Sequence, residues 1–273
     1  MEYPQGGLIG KSIALCRKIR RMNIPLHAAN AGYFIVLSVF PMLILLINAL
    51  RHTSFDVMDL LDLVSGYLPA ALLDEARSFL IHTYAYSGAA VVSVSAVGAL
   101  WSAGRGMRGL LLGLNSVYGL KESRGYFVTR GIGTVYTLLF LVVLVLTLVL
   151  HVFGNFVLDY LRMTTNPFWM FVMDVIDLRF VLLMLLQTAL FTAMYAALPN
   201  RRNKLRESWP GALLTAFGWL TFSDLFSIYV EHFQNYANIY GSVYAAALAM
   251  LWLYFCVCII FYGGALNRYL MER

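Results

Sequence analysis

The sequence predicts an all-α polytopic membrane protein, a bundle of six transmembrane helices, and three observations predict it. Hydrophobic residues make up 60% of the chain and charged residues only 12%, against about a quarter charged in soluble domains. Apolar segments recur along the chain, each close to the roughly 20 residues a helix needs to cross a hydrocarbon core of about 30 Å. The longest polar stretch between them, Arg51 to Ser87, is too short for a soluble domain of its own. One integral membrane domain over residues 1–273 is therefore expected. Residues 1–27 run polar and basic before the first apolar segment, so no cleavable leader is expected.

The first span, about 28–50, carries Pro41 near its centre. Proline has no N–H to donate, which frees the Leu37 carbonyl and predicts a kink. Asn30, Ser38 and Asn48 add polar groups, read either as helix-to-helix hydrogen bonds or as solute contacts. Residues 51–87 are not a span. Val57, Leu60, Leu61, Val64 and Leu68 recur at helical spacing with Asp56, Asp59 and Asp62 on another face, and Leu72, Leu73, Ala76, Phe79 and Leu80 resume the pattern after Pro69. Two short amphipathic helices, about 55–68 and 70–84, are expected in this outer loop. Their acidic faces argue against docking on anionic headgroups.

The second span, about 88–112, has a seam of small residues, Ser95, Gly98, Ser102, Gly109 and Gly113, with Gly106 beside it. Small residues let helix backbones approach, so this face should pack on another helix. Arg105 and Arg108 follow Trp101 toward one end, where long basic side chains reach the interface. A third span is expected at about 132–157 and a fourth at about 178–198, the latter with Gln187, Thr188 and Thr192 inside it. Pro199 should end the fourth helix, and the basic loop NRRNKLR follows. Pro210 then opens a fifth span, about 211–230, at a position proline tolerates. FQNYANIYGS reads as a tight connection with Tyr236 and Tyr240 at the interface, ahead of a sixth span at about 242–266.

Charge tests this layout. With a cytoplasmic N-terminus, sixteen of the twenty Lys and Arg fall inside, leaving Arg51, Arg77, Arg162 and Arg179 outside. Most carboxylates take the outer loops. The positive-inside rule is obeyed, both termini are expected in the cytoplasm, and the net charge of +6 reflects topology without implying nucleic acid as a partner.

One ionisable group stands near the middle of a span. A carboxylate at Asp224 costs about 2.5 to 3.5 kcal/mol in the bilayer centre on insertion scales, so it should face protein or water. Thr221 and Glu231 fall on its helical face. The stripe reads as a proton, cation or solute pathway, or equally as a hydrogen-bond acceptor for a neighbouring helix. Enzymatic motifs give nothing comparable. His27, His52, His82, His151 and His232 are scattered, and no phosphate-binding G-x-x-x-x-G-K-[ST] loop or G-x-S-x-G elbow occurs. Cys256 and Cys258 sit in an apolar run, Cys16 stands alone, and no metal or other cofactor is expected.

Four blocks carry a resemblance: AANAGYFIVLSVFPMLILL, LWSAGRGMRGLLLGLNSVYG, LPNRRNKLRESWPGALLTAFGW and NYANIYGSVYAAALAMLWLYFCVCIIFYGGALN. In that order, over about residues 24–267, they resemble the YihY/virulence factor BrkB family. The resemblance implies a six-helix bacterial inner-membrane protein connected with envelope integrity, serum resistance and export, some relatives carrying a ribonuclease BN label. It implies motif positions at Pro41, Trp101, Pro199, Pro210, Gly211, Tyr240, Gly241, Trp252 and Gly264, with no agreed active site. Gly98 and Ser102 join these as structural positions through the small-residue seam.

Together these readings lead to a non-enzymatic transporter or exporter of a small solute, amphiphile or lipid, with a non-transporting envelope or virulence scaffold as the alternative. Asp224, Thr221, Glu231, Asn30, Gln187 and Arg105 are the candidate pathway residues. Membrane lipids are the expected partners, and a homo-oligomer stays open. The absence of a visible inverted repeat weakens analogy with the transporter folds built from one.

Overall fold

The computed structural model describes residues 17, 19–50, 77, 78, 80–84, 88–125, 128–136, 178–201, 203–232 and 235–272. Among them regular structure is helical throughout. The long elements are α1 (Ile24–Leu50), α2 (Ala89–Tyr118), α3 (Leu178–Ala197), α4 (Leu205–His232) and α5 (Asn235–Met271). Four segments are long and apolar enough to cross a bilayer: Ile24–Leu45, Phe180–Ala197, Leu205–Val230 and Ala246–Met271. α2 occupies the expected second span as one 30-residue helix, but its small residues and two arginines leave it outside that set. The third span and the outer amphipathic helices lie largely outside the described residues, of which 128–136 and the part of 77–84 described are helical.

Two helix starts differ from expectation. α4 begins at Leu205, so Pro210 lies inside the helix and not at its opening. The earlier start has a local cause: Glu207 sits in the first turn, where the helix dipole favours a carboxylate, and its Oε2 accepts from the Lys204 backbone N–H at 3.5 Å. α5 begins at Asn235, so Tyr240 and Gly241 are helical, and residues 235–242 of the expected tight connection belong to the helix. Asn and Gly disfavour helix only weakly, and the 37-residue helix overrides them. At about 1.5 Å per residue such a helix is about 55 Å long, well beyond a hydrocarbon core.

The chain divides into two compact units, each discontinuous in sequence. The first contains Met1–Pro25, Leu111–Thr221 and Cys258–Arg273, and the second Leu26–Leu110 and Phe222–Val257. In the second unit the small-residue seam of α2 meets α1. A Cβ on Gly98 would lie 3.7 Å from the Pro41 ring, and one on Gly109 only 2.9 Å from the Ala31 Cα. Gly106 faces Ile35 just as closely, so the seam does what its spacing predicts. α1 continues through Pro41, and Ser38 Oγ donates to the Ile35 carbonyl at 2.6 Å.

Candidate functional site

The first unit gathers the ends of its helices into one polar assembly, built from the C-terminus of α2 upward. Gly119 follows Tyr118 with a φ of 70°, a left-handed conformation glycine adopts without strain. The Leu120 N–H then reaches the Asn115 carbonyl at 2.8 Å and the Gly119 N–H the Ser116 carbonyl at 3.1 Å, the pattern of a Schellman cap. Arg268 of α5 donates from Nη1 to the Val117 carbonyl at 2.7 Å. Ser116 Oγ donates to the Met22 carbonyl at 3.0 Å, which ties the segment before α1 to the same end.

The C-terminus of α3 is finished by the residues that follow Pro199 and by the segment after α2. A helix leaves its last four carbonyls without partners of its own. Of these, Met194 accepts the Leu198 N–H at 2.9 Å, Tyr195 accepts from Asn203 Nδ2 at 3.0 Å and Ala196 accepts the Asn203 N–H at 3.1 Å, while just outside them Tyr136 Oη donates to the Ala193 carbonyl at 3.1 Å and Arg124 Nη2 to the Leu198 carbonyl at 2.9 Å. Arg124 also grips Glu122 through Nε and Nη2 at 2.8 and 2.9 Å. Asn115 Nδ2 donates to the same carboxylate at 2.7 Å, while Asn115 Oδ1 accepts the Asn200 N–H at 2.7 Å. Asn200 closes the clasp by donating to the Lys121 carbonyl and to Ser123. With Arg124 as its main partner, the Glu122 carboxyl is held down at about 2.

Deeper in this unit one asparagine of α5 reaches the backbone of α4 on both sides of Pro210. Asn267 of α5, fully buried, accepts the Gly211 N–H on Oδ1 at 2.7 Å and donates from Nδ2 to the Ser208 carbonyl at 2.9 Å. The bridge needs close backbones. A Cβ on Gly211 would strike the Gly263 carbonyl oxygen, and one on Gly263 would strike Thr215. Beside it the Tyr195 hydroxyl lies 2.6 Å from both Thr215 Oγ1 and the Ile260 carbonyl, and Thr215 Oγ1 lies 2.7 Å from the Gly211 carbonyl. Two hydroxyl protons serve three contacts, so in any arrangement one contact lacks its hydrogen.

Against this framework lies an open cavity of about 750 Å³. Val128, Ile132, Val135, Ala196, Ala197 and Leu205 give it an apolar wall, while Tyr136, Asn200, Asn203 and two guanidinium groups, Arg124 and Arg201, supply its polar side. Arg201 is exposed and makes no hydrogen bond or ion pair with the described residues. It also lines an adjoining recess of about 580 Å³ with Lys204, Arg206, Glu207, Pro210, Leu270 and Met271. Asn203 is 8% exposed, and its Oδ1 has no donor among the described residues. An apolar wall beside Arg201, a cation without a partner among the described residues, can take a molecule with an acyl or aryl body and an anionic end.

The residues singled out from sequence are not brought together. Asp224 is exposed on α4 and pairs with nothing among the described residues. Thr221 is partly exposed, Asn30 is exposed, and only the backbone of Glu231, Tyr240 and Gly241 is described. Gln187 is buried with its Oε1 unpaired among the described residues. Arg105 lies 4.6 Å from the Trp101 ring and 5.3 Å from the Phe34 ring, an aromatic seat for a cation at a helix surface. Ser102 is buried, Trp252 Nε1 donates to Ser223 Oγ at 3.2 Å, and a Cβ on Gly264 would crowd Leu114 at 3.2 Å. Arg124, Glu122, Asn115, Asn200, Asn203 and Asn267 were missed. For all but Asn267 the signal was present in the loops NSVYGLKESR and LPNRRNK, where asparagines flank the helix ends whose backbone groups need partners. No group of three His, Cys, Asp or Glu able to hold a metal occurs among the described residues.

Comparison with known proteins gives an extended relative and partial ones. A Bacillus subtilis (strain 168) protein provisionally named ribonuclease-like, YfkH, is 29% identical over 246 residues, 90% of this chain and 90% of that protein. A UPF0761 membrane protein of Azotobacter vinelandii is 37% identical over 86 residues, 32% of this chain and 21% of that protein. Its counterpart in Photobacterium profundum is 27% identical over 89 residues, 33% of this chain and 28% of that protein. The chain thus matches only about a fifth to a quarter of the length of the UPF0761 proteins. No solved structure matches. The virulence factor BrkB profile matches residues 15–273, and this chain is a membrane protein belonging to that family.

Proposed function

We propose that the protein is a multi-pass bacterial inner-membrane transporter or exporter of a small solute or amphiphile, with both termini in the cytoplasm and no enzymatic step. The observation that carries the reading is the cavity of about 750 Å³ that joins an apolar wall to Arg124 and Arg201. A purely structural helix end has no use for so large an opening beside a guanidinium with no partner among the described residues. Lys121, Arg124, Arg201, Lys204, Arg206 and Arg268 crowd this end of the unit against the carboxylates of Glu122, Glu207 and Glu272. That excess of positive charge supports a cytoplasmic placement. The scaffold alternative leans on the outer helices, most of whose residues lie outside the described ones. Among the described residues, no group of three His, Cys, Asp or Glu offers the metal-holding cluster that the ribonuclease-like name of the Bacillus relative would call for.

The test is flux through the purified chain. Reconstituted in vesicles carrying a fluorescently tagged phospholipid, it should speed exchange of the tagged lipid between leaflets well above protein-free vesicles. Entrapped small dyes test the solute branch in the same preparation. Absence of both fluxes from folded, correctly inserted protein would sink the transport reading.

A further inference from the structure

We infer that the cavity beside α3 is a binding site for an anionic membrane amphiphile, with a phosphate-bearing headgroup at Arg201 and an apolar tail along Val128, Ile132 and Val135. This deepens the transport reading and rests on it for its functional meaning, while the binding itself is measurable alone. Three observations select the class of ligand. The apolar side of the cavity lies on residues 128–136, with Val128 and Val135 both exposed, so burial of apolar surface is available to a tail. The two cations of the rim are not equivalent. Arg124 spends its guanidinium on Glu122 and the Leu198 carbonyl, which makes it a fixed part of the wall. Arg201 has no such partner among the described residues and stands where the two recesses share a lining residue.

A headgroup at that point also faces Lys204 and Arg206, with Glu207 the only carboxylate among the residues lining either recess. Lys204 and Glu207 are 4.0 Å apart and both reach solvent, so the pair is loose enough to leave the lysine available. Arginine presents a planar fork of donors that matches phosphate oxygens two at a time. The neighbouring Asn200 already commits both Nδ2 contacts and its backbone N–H to the loop 115–123, so it orients the segment and leaves the charge recognition to Arg201. A zwitterionic headgroup would place its ammonium among these cations and lose part of the attraction. A free phosphate would lack the tail.

The experiment uses the full chain in detergent, with fluorescently tagged short-chain phosphatidylglycerol, the matching phosphatidylcholine, and inorganic phosphate as competitor. Phosphatidylglycerol should bind about tenfold more tightly than phosphatidylcholine, and added salt should narrow the gap. Arg201→Gln should weaken phosphatidylglycerol binding about fivefold to tenfold and leave phosphatidylcholine binding and the melting temperature unchanged. Arg77→Gln, an exposed arginine of the other unit, should change neither lipid. Equal affinity for the two lipids, or unchanged binding in the Arg201 variant, overturns the inference. So does displacement of the lipid by inorganic phosphate at equimolar concentration, which would point to a small-anion site. Loss of headgroup preference with vesicle flux retained defeats the binding site alone, whereas preference without flux defeats the transport reading alone.

Discussion

The two compact units hold their helices by different means. In the second unit, α1 and α2 approach through Gly98, Gly106 and Gly109, where backbone meets side chain at van der Waals range and few polar groups take part. In the first, α3, α4 and α5 share buried polar side chains: Tyr195, Thr215 and Asn267 are fully buried and each is hydrogen-bonded. Close approach exploits dispersion, which survives in lipid because it needs no water to drive it. The polar network instead ties α4 to α5 on either side of Pro210. Removing a partner there strands polar groups in an apolar setting, so the two units should differ sharply in how they tolerate substitution.

Asn267→Leu is the strongest challenge to this contrast. It removes both side-chain bonds that Asn267 makes to the α4 backbone, and a loss of about 3 kcal/mol is expected. Reversible unfolding in mixed micelles measures it, and a near-neutral result would mean that this bridge between α4 and α5 contributes little. Gly109→Ala probes the other unit. The new methyl meets the Ala31 backbone and should cost about 2 kcal/mol, with a larger cost for Gly109→Val by the same assay. If both are tolerated, the α1–α2 contact is not tight.

The clasp between the loops after α2 and α3 gives a smaller, pH-dependent effect. The Glu122 pKa falls from 4.5 free to about 2 folded, so its stabilisation is complete above the unfolded value and is lost as pH falls toward 2. The melting temperature of the wild type should therefore drop between pH 4.5 and 2 more than that of Glu122→Gln, which should begin lower at pH 7. Parallel curves would remove the clasp from the account. Asp224→Asn should have the least effect on stability, within about 0.5 kcal/mol, because the carboxylate is exposed and makes no described contact. A large destabilisation would show that Asp224 has a structural partner after all. Altered flux at normal stability would return it to the pathway.

How much was legible in the sequence varies from residue to residue. The seam of Gly98, Gly106, Gly109 and Gly113 could be read directly, because a helix repeats its face every three to four residues and small side chains have one plain use in lipid. Pro199 could be read as a helix stop for a similar local reason, and α3 does end at Ala197. Pro210 could not be placed. Whether proline opens a helix or lies within one depends on where the helix starts and what packs beside it, and Asn267, which bonds the backbone on both sides of Pro210, is 57 residues away from it. Asp224 drew attention because a lone intramembrane charge is costly. The cationic cavity did not, because its arginines looked like ordinary topology signals.

The sequence by itself determined that this chain is helical, that it lives in a membrane, and that one face of the second span packs closely on another helix, since composition and short-range periodicity carry those facts. Tertiary structure alone decided that Asn267 would reach both sides of Pro210, that Arg124 would be engaged by Glu122 while Arg201 has no partner among the described residues, and that an apolar wall would stand beside them. Those outcomes depend on groups far apart in the chain arriving within about 3 Å of one another, the range over which a hydrogen bond acts. No local pattern encodes that meeting.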